Sequence, residues 1–340
     1  MSLRLSSKHR ARTCSQLAIA AVFATTAAMS VTAEDWQELS IVDVDAFPVD
    51  EQPRFYSKSK SIFRGPGGAS LIWAQFNPRF DDAPPQSSPG LGAHYHHFHE
   101  WALVLEGDYV IHEVISPRQR GGAMYQYLEG TWLDRPAYTL HGGSWEIGGL
   151  RSQMPCTLLI FEEGDGSVVT IGADGDHFKP DFPDSKPDPY DPNWEAVERF
   201  DRPWIVNSVQ QLGWERDADD PSRWVKWLSD DPKAGFQARL IKVPPGWESE
   251  SSTAAQWYEK ANRFLYLTWG DLRVQRYDAE GNAAELVEAS GNWFVHQPPK
   301  ALLSHGSGAA SDGGAIWLEV VYAEGITLGG GPIEPPKVRP

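Results

Sequence analysis

Two stretches, 103–108 (LVLEGD) and 266–271 (YLTWGD), each end an apolar run on a Gly-Asp pair. They constrain the fold more than any other feature. A Gly-Asp turn flanked by strand-forming residues is a hairpin signal, and its recurrence far along the chain points to a duplicated β unit. Other landmarks repeat at nearly the same offset: Gly130-Thr-Trp132-Leu133 is matched by Gly291-Asn-Trp293-Phe294, and His141 by His305. Further turn pairs punctuate both halves, at Glu129-Gly130 and 164–166 (GDG), then at 280–282 (EGN) and Gly291-Asn292. Nothing reads as a long amphipathic helix, and Trp194–Arg199 is only a short candidate. With 31 Gly, 26 Pro and 15 Trp, the chain is expected to be all-β and rich in turns.

Composition bounds the rest. A chain of 340 residues with 41% apolar and 22% charged residues has material for one or two packed cores and is not disordered. Its net charge of −16 excludes nucleic acid and anionic membrane surfaces as partners, because both are held by neutralising phosphates. Residues 1–33 read as an export signal. Arg4, Lys8, Arg10 and Arg12 precede an apolar run, Leu17–Val31, and small residues lead to Ala33, where cleavage is expected. The run is short of the ~20 residues that a bilayer core requires, so no membrane anchor is expected once the signal is removed. The mature protein is therefore expected in the periplasm or outside the cell.

Cys14 leaves with the signal, so Cys156 is left without an internal disulfide partner; beside the apolar run Thr157–Phe161 it reads as core. Between 177 and 203, Pro180, Pro183, Pro187, Pro189 and Pro192 alternate with acidic residues. Proline fixes φ and removes a donor, so this stretch reads as an extended linker. It separates an N-terminal unit, 34–176, from a C-terminal unit, 204–340.

The chemistry concentrates in 94–107 (HYHHFHEWALVLEG). Histidines two apart on a strand share a face, which pairs His94 with His96, though His97 and His99 offer a competing register. Glu100 follows, and His141 comes after Gly130 and Pro136. Three neutral imidazoles and one carboxylate suit a divalent first-row transition metal and leave two octahedral positions for water or substrate.

These residues resemble the two signature motifs of the cupin superfamily. His94, His96, Glu100 and Gly107 match His-x-His-x3-Glu-x6-Gly; Gly130, Pro136 and His141 match the core of Gly-x5-Pro-x-Gly-x2-His-x3-Asn. Tyr138 and Trp145 replace the second motif's inner Gly and its Asn, and Ser88 stands where the first has a leading Gly. None of these positions is a metal ligand in the family. The resemblance implies two tandem double-stranded β-helix (jelly-roll) barrels, a bicupin, with one metal held by His94, His96, Glu100 and His141. Iron or manganese is the first expectation, with zinc, nickel or copper as alternatives.

Around those ligands, His97, His99 and Trp101 are candidates for the pocket rim or for contacts behind the ligands. The competing reading makes the two histidines polar turn residues and Trp101 core. Tyr138 is a candidate acid or base, or else a loop aromatic. In the second half the ligand positions become Trp257, Glu259 and Arg263, with only His305 kept. That barrel is expected to bind no metal and to serve packing, dimerisation or pocket closure. The functional expectation is an exported metalloenzyme acting on a small oxygenated organic molecule, most simply a dioxygenase. Isomerase, lyase or decarboxylase chemistry is the alternative, and a non-catalytic binding protein is the competing class.

Overall fold

The structure is a computed structural model. It describes residues 39–52, 57–65, 68–77, 94–113, 123–137, 139–142, 154–164, 166–167, 169–170, 204–208, 210–248, 250–278, 281–306, 310–323 and 331–339. The expected signal, the expected linker 177–203 and Tyr138 lie outside the described residues. Among those described, helix amounts to a single turn at Val44–Ala46, Gly68 and Glu250–Thr253. Among the described residues, no helix is long and apolar enough to cross a membrane. The all-β expectation is met.

Two barrels account for most strands. The first pairs a seven-stranded sheet with a five-stranded one, and every pairing within them is antiparallel. At the centre of the larger sheet Glu100–Glu106 lies between Thr131–Arg135 and Cys156–Glu162, and the smaller sheet runs Val169–Thr170, His94–Tyr95, His141–Gly142, Asp108–Glu113, Ala123–Leu128. The second barrel centres on Ala261–Tyr277, a long strand held between Trp293–Gln297 and Ala310–Ala323.

One edge strand of each barrel comes from the far side of the sequence. Ser40–Asp43 pairs with Trp293–His296 of the second barrel, while Trp204–Asn207 pairs with Thr131–Asp134 of the first. The units drawn at 34–176 and 204–340 follow chain order, whereas the pairing is reciprocal across that division. An unpaired edge would leave a row of unsatisfied backbone groups, and each unit covers the other's.

Alternation decides which side chains face which core. Along Glu100–Glu106, Ala102 and Val104 enter the first barrel, with Cys156 and Leu158, while Trp101 and Leu103 point the other way. In Ala261–Tyr277, Leu265 and Leu267 enter the second barrel, and Phe264 and Tyr266 face outward. The outward residues of both sheets meet in one aromatic core. Phe264 lies 5.1 Å from Phe63 and 5.4 Å from Phe161, and Phe161 lies 5.2 Å from Tyr322. A polar chain crosses the same interface: Trp132 Nε1 donates to Ser229 Oγ (2.9 Å), which donates to Asp134 (2.6 Å).

The duplication is visible at two glycines, Gly107 just past the end of Glu100–Glu106 and Gly270 at a register shift inside Ala261–Tyr277. Gly107 and Gly270 both have φ of +81°, and a Cβ on either would lie 2.0 Å from the Pro155 carbonyl oxygen or 2.1 Å from that of Gly314. Any side chain would clash with backbone, so both positions require glycine.

Two expectations follow. Because the barrels share a core and exchange strands, they should unfold together: Phe264→Ala should cost about 3–5 kcal/mol and keep one transition, seen alike by tryptophan fluorescence and circular dichroism. Two separated transitions would show independent barrels. His296 sits in the shared core, 4.7 Å from Phe63, and burial pushes its imidazole from 6.5 down to about 3. Above pH 6.5 both folded and unfolded chains hold it neutral; below that only the unfolded chain gains the proton. Stability should therefore decline as pH falls from about 6.5 to about 3, by up to ~1.4 kcal/mol per unit from this group. His296→Gln should flatten the pH dependence of the urea midpoint, and an unchanged slope would refute the assignment.

Candidate metal centre

Strand register brings the four motif residues together. His94 and His141 are direct antiparallel partners, with ring centroids 4.4 Å apart. His96 lies two residues on from His94, its ring 5.3 Å from that of His94 and 5.4 Å from that of His141. Donor atoms of His94, His96 and His141 lie within 4.8 Å of one another, and all three residues are buried. Past a bend at 97–98 the chain leaves the smaller sheet and enters the larger one at Glu100. Phe98 folds under this bend against Gly164, where a Cβ would lie 2.1 Å from its ring. Glu100 Oε2 is then 3.0 Å from His96 Nε2 and 3.7 Å from His141 Nε2.

The far nitrogens fix the rings. His96 Nδ1 donates to the Ser167 carbonyl (2.9 Å) and His141 Nδ1 to the Thr139 carbonyl (3.0 Å). Both Nε2 atoms are thereby turned toward Glu100, and the 3.0 Å approach of His96 Nε2 to the carboxylate calls for a proton or a cation between them. Carbonyl partners of this kind orient metal-bound imidazoles. Three inward imidazoles and a carboxylate are a donor set suited to a divalent transition metal, and the residues present fit one.

A buried arginine holds the carboxylate in place. Arg135 Nη1 binds Glu100 Oε1, and Arg135 Nε and Nη2 bind Glu113 at 3.0 and 2.5 Å. Tyr127 also donates to Glu113 (3.1 Å). Burial would raise the Glu100 carboxyl, but Arg135, His141 and His96 outweigh it and hold it well below the usual carboxylate range. Burial, with Arg135 and His94 nearby, holds His141 well below the ordinary imidazole value. At His96 burial acts the same way, but the Glu100 carboxylate overcomes it and raises that imidazole.

Other expected residues fall elsewhere. His97 is exposed, its ring 5.5 Å from Tyr95. His99, expected at the pocket rim, is buried in the interface between barrels. Its Nε2 lies 2.7 Å from Asp134 Oδ1 and its ring 4.6 Å from Phe236. Trp101, on the opposite face of its strand from Glu100, stacks on Trp132 at 5.1 Å in the shared core. His99 and Trp101 flank Glu100 in the chain and face away from it, so neither reaches the rim.

Sequence reading missed Glu162 and Arg135. Glu162 is directly paired with Glu100 across the sheet, and its carboxylate lies within 4.8 Å of the donor atoms of His96 and Glu100. The available signal was a lone acid ending the otherwise apolar inward row of Leu158 and Ile160. Arg135 is paired with Glu100 on the other side.

In the second barrel the corresponding residues do not converge. Glu259 pairs with Lys337 (2.6 Å) and Lys300 (3.7 Å), and His305 is packed between Trp247 and Trp317. Arg263 pairs with Glu319, not with the Glu259 that sequence places near it. Among the described residues, both side-chain clusters able to hold a cation belong to the first barrel.

No family model matches the chain, and no curated protein sequence does. Solved structures do. A candidate dioxygenase from Nostoc punctiforme PCC 73102 superposes with a TM-score of 0.56 at 14% identity, over 88% of each chain. Two single-residue variants of Bacillus subtilis oxalate decarboxylase give TM-scores of 0.53 and 0.51 at 11% and 13% identity, over 84% of this chain and 77% of theirs. Similarity at this level speaks to backbone arrangement, and it agrees with the barrels and motifs described above: the chain has the two-barrel cupin fold.

Proposed function

We propose that this protein is an exported, metal-dependent enzyme acting on a small oxygenated organic substrate, most simply as a dioxygenase. The observation that carries the reading is the convergence of His94, His96, His141 and Glu100 on one buried point, with the second carboxylate of Glu162 beside it. Those four side chains would hold the ion, iron or manganese by preference, with zinc, nickel or copper compatible with the same donors. When bound, the ion supplies Lewis-acid polarisation of substrate oxygens and, if redox-active, a route to dioxygen. Export rests on the basic, apolar and small-residue order of 1–33.

The protein's own groups do the remaining work. Arg135 fixes which Glu100 oxygen faces the imidazoles, and the Ser167 and Thr139 carbonyls fix the ring tautomers. Glu162 is only partly buried, so it can exchange protons with solvent while lying beside the site. That placement suits a group that takes a proton from a substrate or returns one. It also supports a second reading, decarboxylase or lyase chemistry, in which proton return to a carbanion-like centre is required and oxygen is not consumed.

Protein purified without chelator should carry about one equivalent of a transition metal by elemental analysis, and His141→Ala should lose it while keeping its circular dichroism spectrum. A metal-free wild-type protein that also fails to take up iron or manganese would end the proposal. Oxygen uptake with diketones, catechols or flavonols supports the dioxygenase; carbon dioxide release from small dicarboxylates without uptake selects the second reading. In either case Glu162→Gln should keep its metal and lower kcat by roughly 10²–10⁴-fold, and an unchanged kcat would remove Glu162 from the chemistry.

A further inference from the structure

The second barrel holds a cavity of about 550 Å³, within the range of small-ligand sites. Its floor is an ion cluster inverted in sign from that of the first barrel. Arg263 stands where Glu100 stands, seven residues before the equivalent glycine. Glu319 is shared by two guanidiniums: it accepts from Arg263 Nε (2.7 Å) and from Arg239 Nε and Nη2 (2.8 and 2.7 Å). A third, Arg223, uses Nε on Asp217 (2.7 Å), which also lies 3.6 Å from Arg239. All five residues are buried or nearly so.

Donors outnumber acceptors here. A guanidinium carries five N–H groups. Among the described residues, both terminal nitrogens of Arg223 and Nη1 of Arg263 have no partner. The hydroxyl of Tyr258, a residue 8% exposed that lines the same cavity, also has none among the described residues. Three guanidiniums face two buried carboxylates. Asp220, buried nearby, accepts from the Ser222 backbone and hydroxyl and does not line the cavity. Asp219 and Glu334 do line it, but both are exposed, where water and salt screen them. Trp227, with Arg239 5.0 Å from its ring centroid, forms a wall together with Val321 and Ile333.

We propose that this cavity binds a small organic carboxylate, its charge held by Arg223, Arg263 and Tyr258 and its carbon body against Trp227. Planar guanidiniums match carboxylate geometry, and the apolar wall favours an organic anion over inorganic phosphate. The site is separate from the first barrel and does not depend on its metal.

Isothermal titration calorimetry of the mature protein with benzoate, oxalate, citrate and inorganic phosphate tests this, with benzamide as the uncharged counterpart of benzoate. At least one carboxylate should bind saturably and more tightly than phosphate; if it is benzoate, benzamide should bind at least about tenfold more weakly. Arg223→Gln and the conservative Tyr258→Phe should each weaken binding about tenfold, and His141→Ala should leave it unchanged. No binding by any of the carboxylates overturns the proposal, as does tighter binding of phosphate. Equal binding of benzoate and benzamide, or affinity untouched by both cavity variants, also overturns it. Loss of binding in His141→Ala would move the anion to the first barrel and refute the assignment as well.

Discussion

The contact between Arg135 and Glu100 orders the first barrel's interior. Placing a carboxylate in a barrel core is costly unless a cation and hydrogen bonds accompany it. Arg135 supplies both, yet its own charge needs more than Glu100, because Glu100 must keep one oxygen for the imidazoles. Glu113, fully buried and accepting two of the Arg135 donors and the Tyr127 hydroxyl, provides the second carboxyl group, which burial raises and Arg135 lowers. Removing one member of such a buried set would strand the others, at a cost of roughly 3–5 kcal/mol. Site geometry and barrel stability thus rest on one group of ions.

Strand alternation keeps this chemistry apart from the joint between barrels. Glu100 and Trp101 are neighbours in sequence, but one faces the imidazoles and the other stacks in the shared aromatic core. The same division holds at Arg263 and Phe264. Each central strand therefore presents a functional face and a structural face, and change on one need not disturb the other. His99 obeys the same division: it follows the motif histidines, shares the face of Trp101 and meets Phe236 of the other barrel.

What could be read from sequence follows from how local the information is. The duplicated Gly-Asp pairs, the alternation and the His94/His96/Glu100 spacing are short-range patterns, and the barrels and clustered ligands agree with them, although Gly270-Asp271 lies inside the strand Ala261–Tyr277 and forms no hairpin turn. Glu162 and Arg135 reach Glu100 only through strand register, since Glu100 pairs with both across the sheet and nothing near it in the chain names either. The exchanged strands were illegible for the same reason: Ser40–Asp43 finds its partner at Trp293–His296, and no local pattern encodes so distant a pairing. Nearness to the motif suggested the rim for His99 and Trp101, whereas alternation about Glu100 turns both toward the joint between barrels.

The two interiors then read as one design with its signs exchanged. In the first barrel two buried carboxylates flank a guanidinium, and the spare oxygen of Glu100 faces three imidazoles that favour a cation. In the second, two guanidiniums flank the carboxylate of Glu319, Arg223 adds a third, and spare N–H donors face a cavity. The backbone frame is common to both, down to the left-handed glycines Gly107 and Gly270. A barrel that can neutralise a buried carboxylate with an arginine can neutralise a buried arginine with a carboxylate, since the same pair satisfies either core. The sign left over decides what the mouth can hold. Arg263 in the place that Glu100 takes in the first barrel reverses that sign without touching the aromatic joint on the strand's other face.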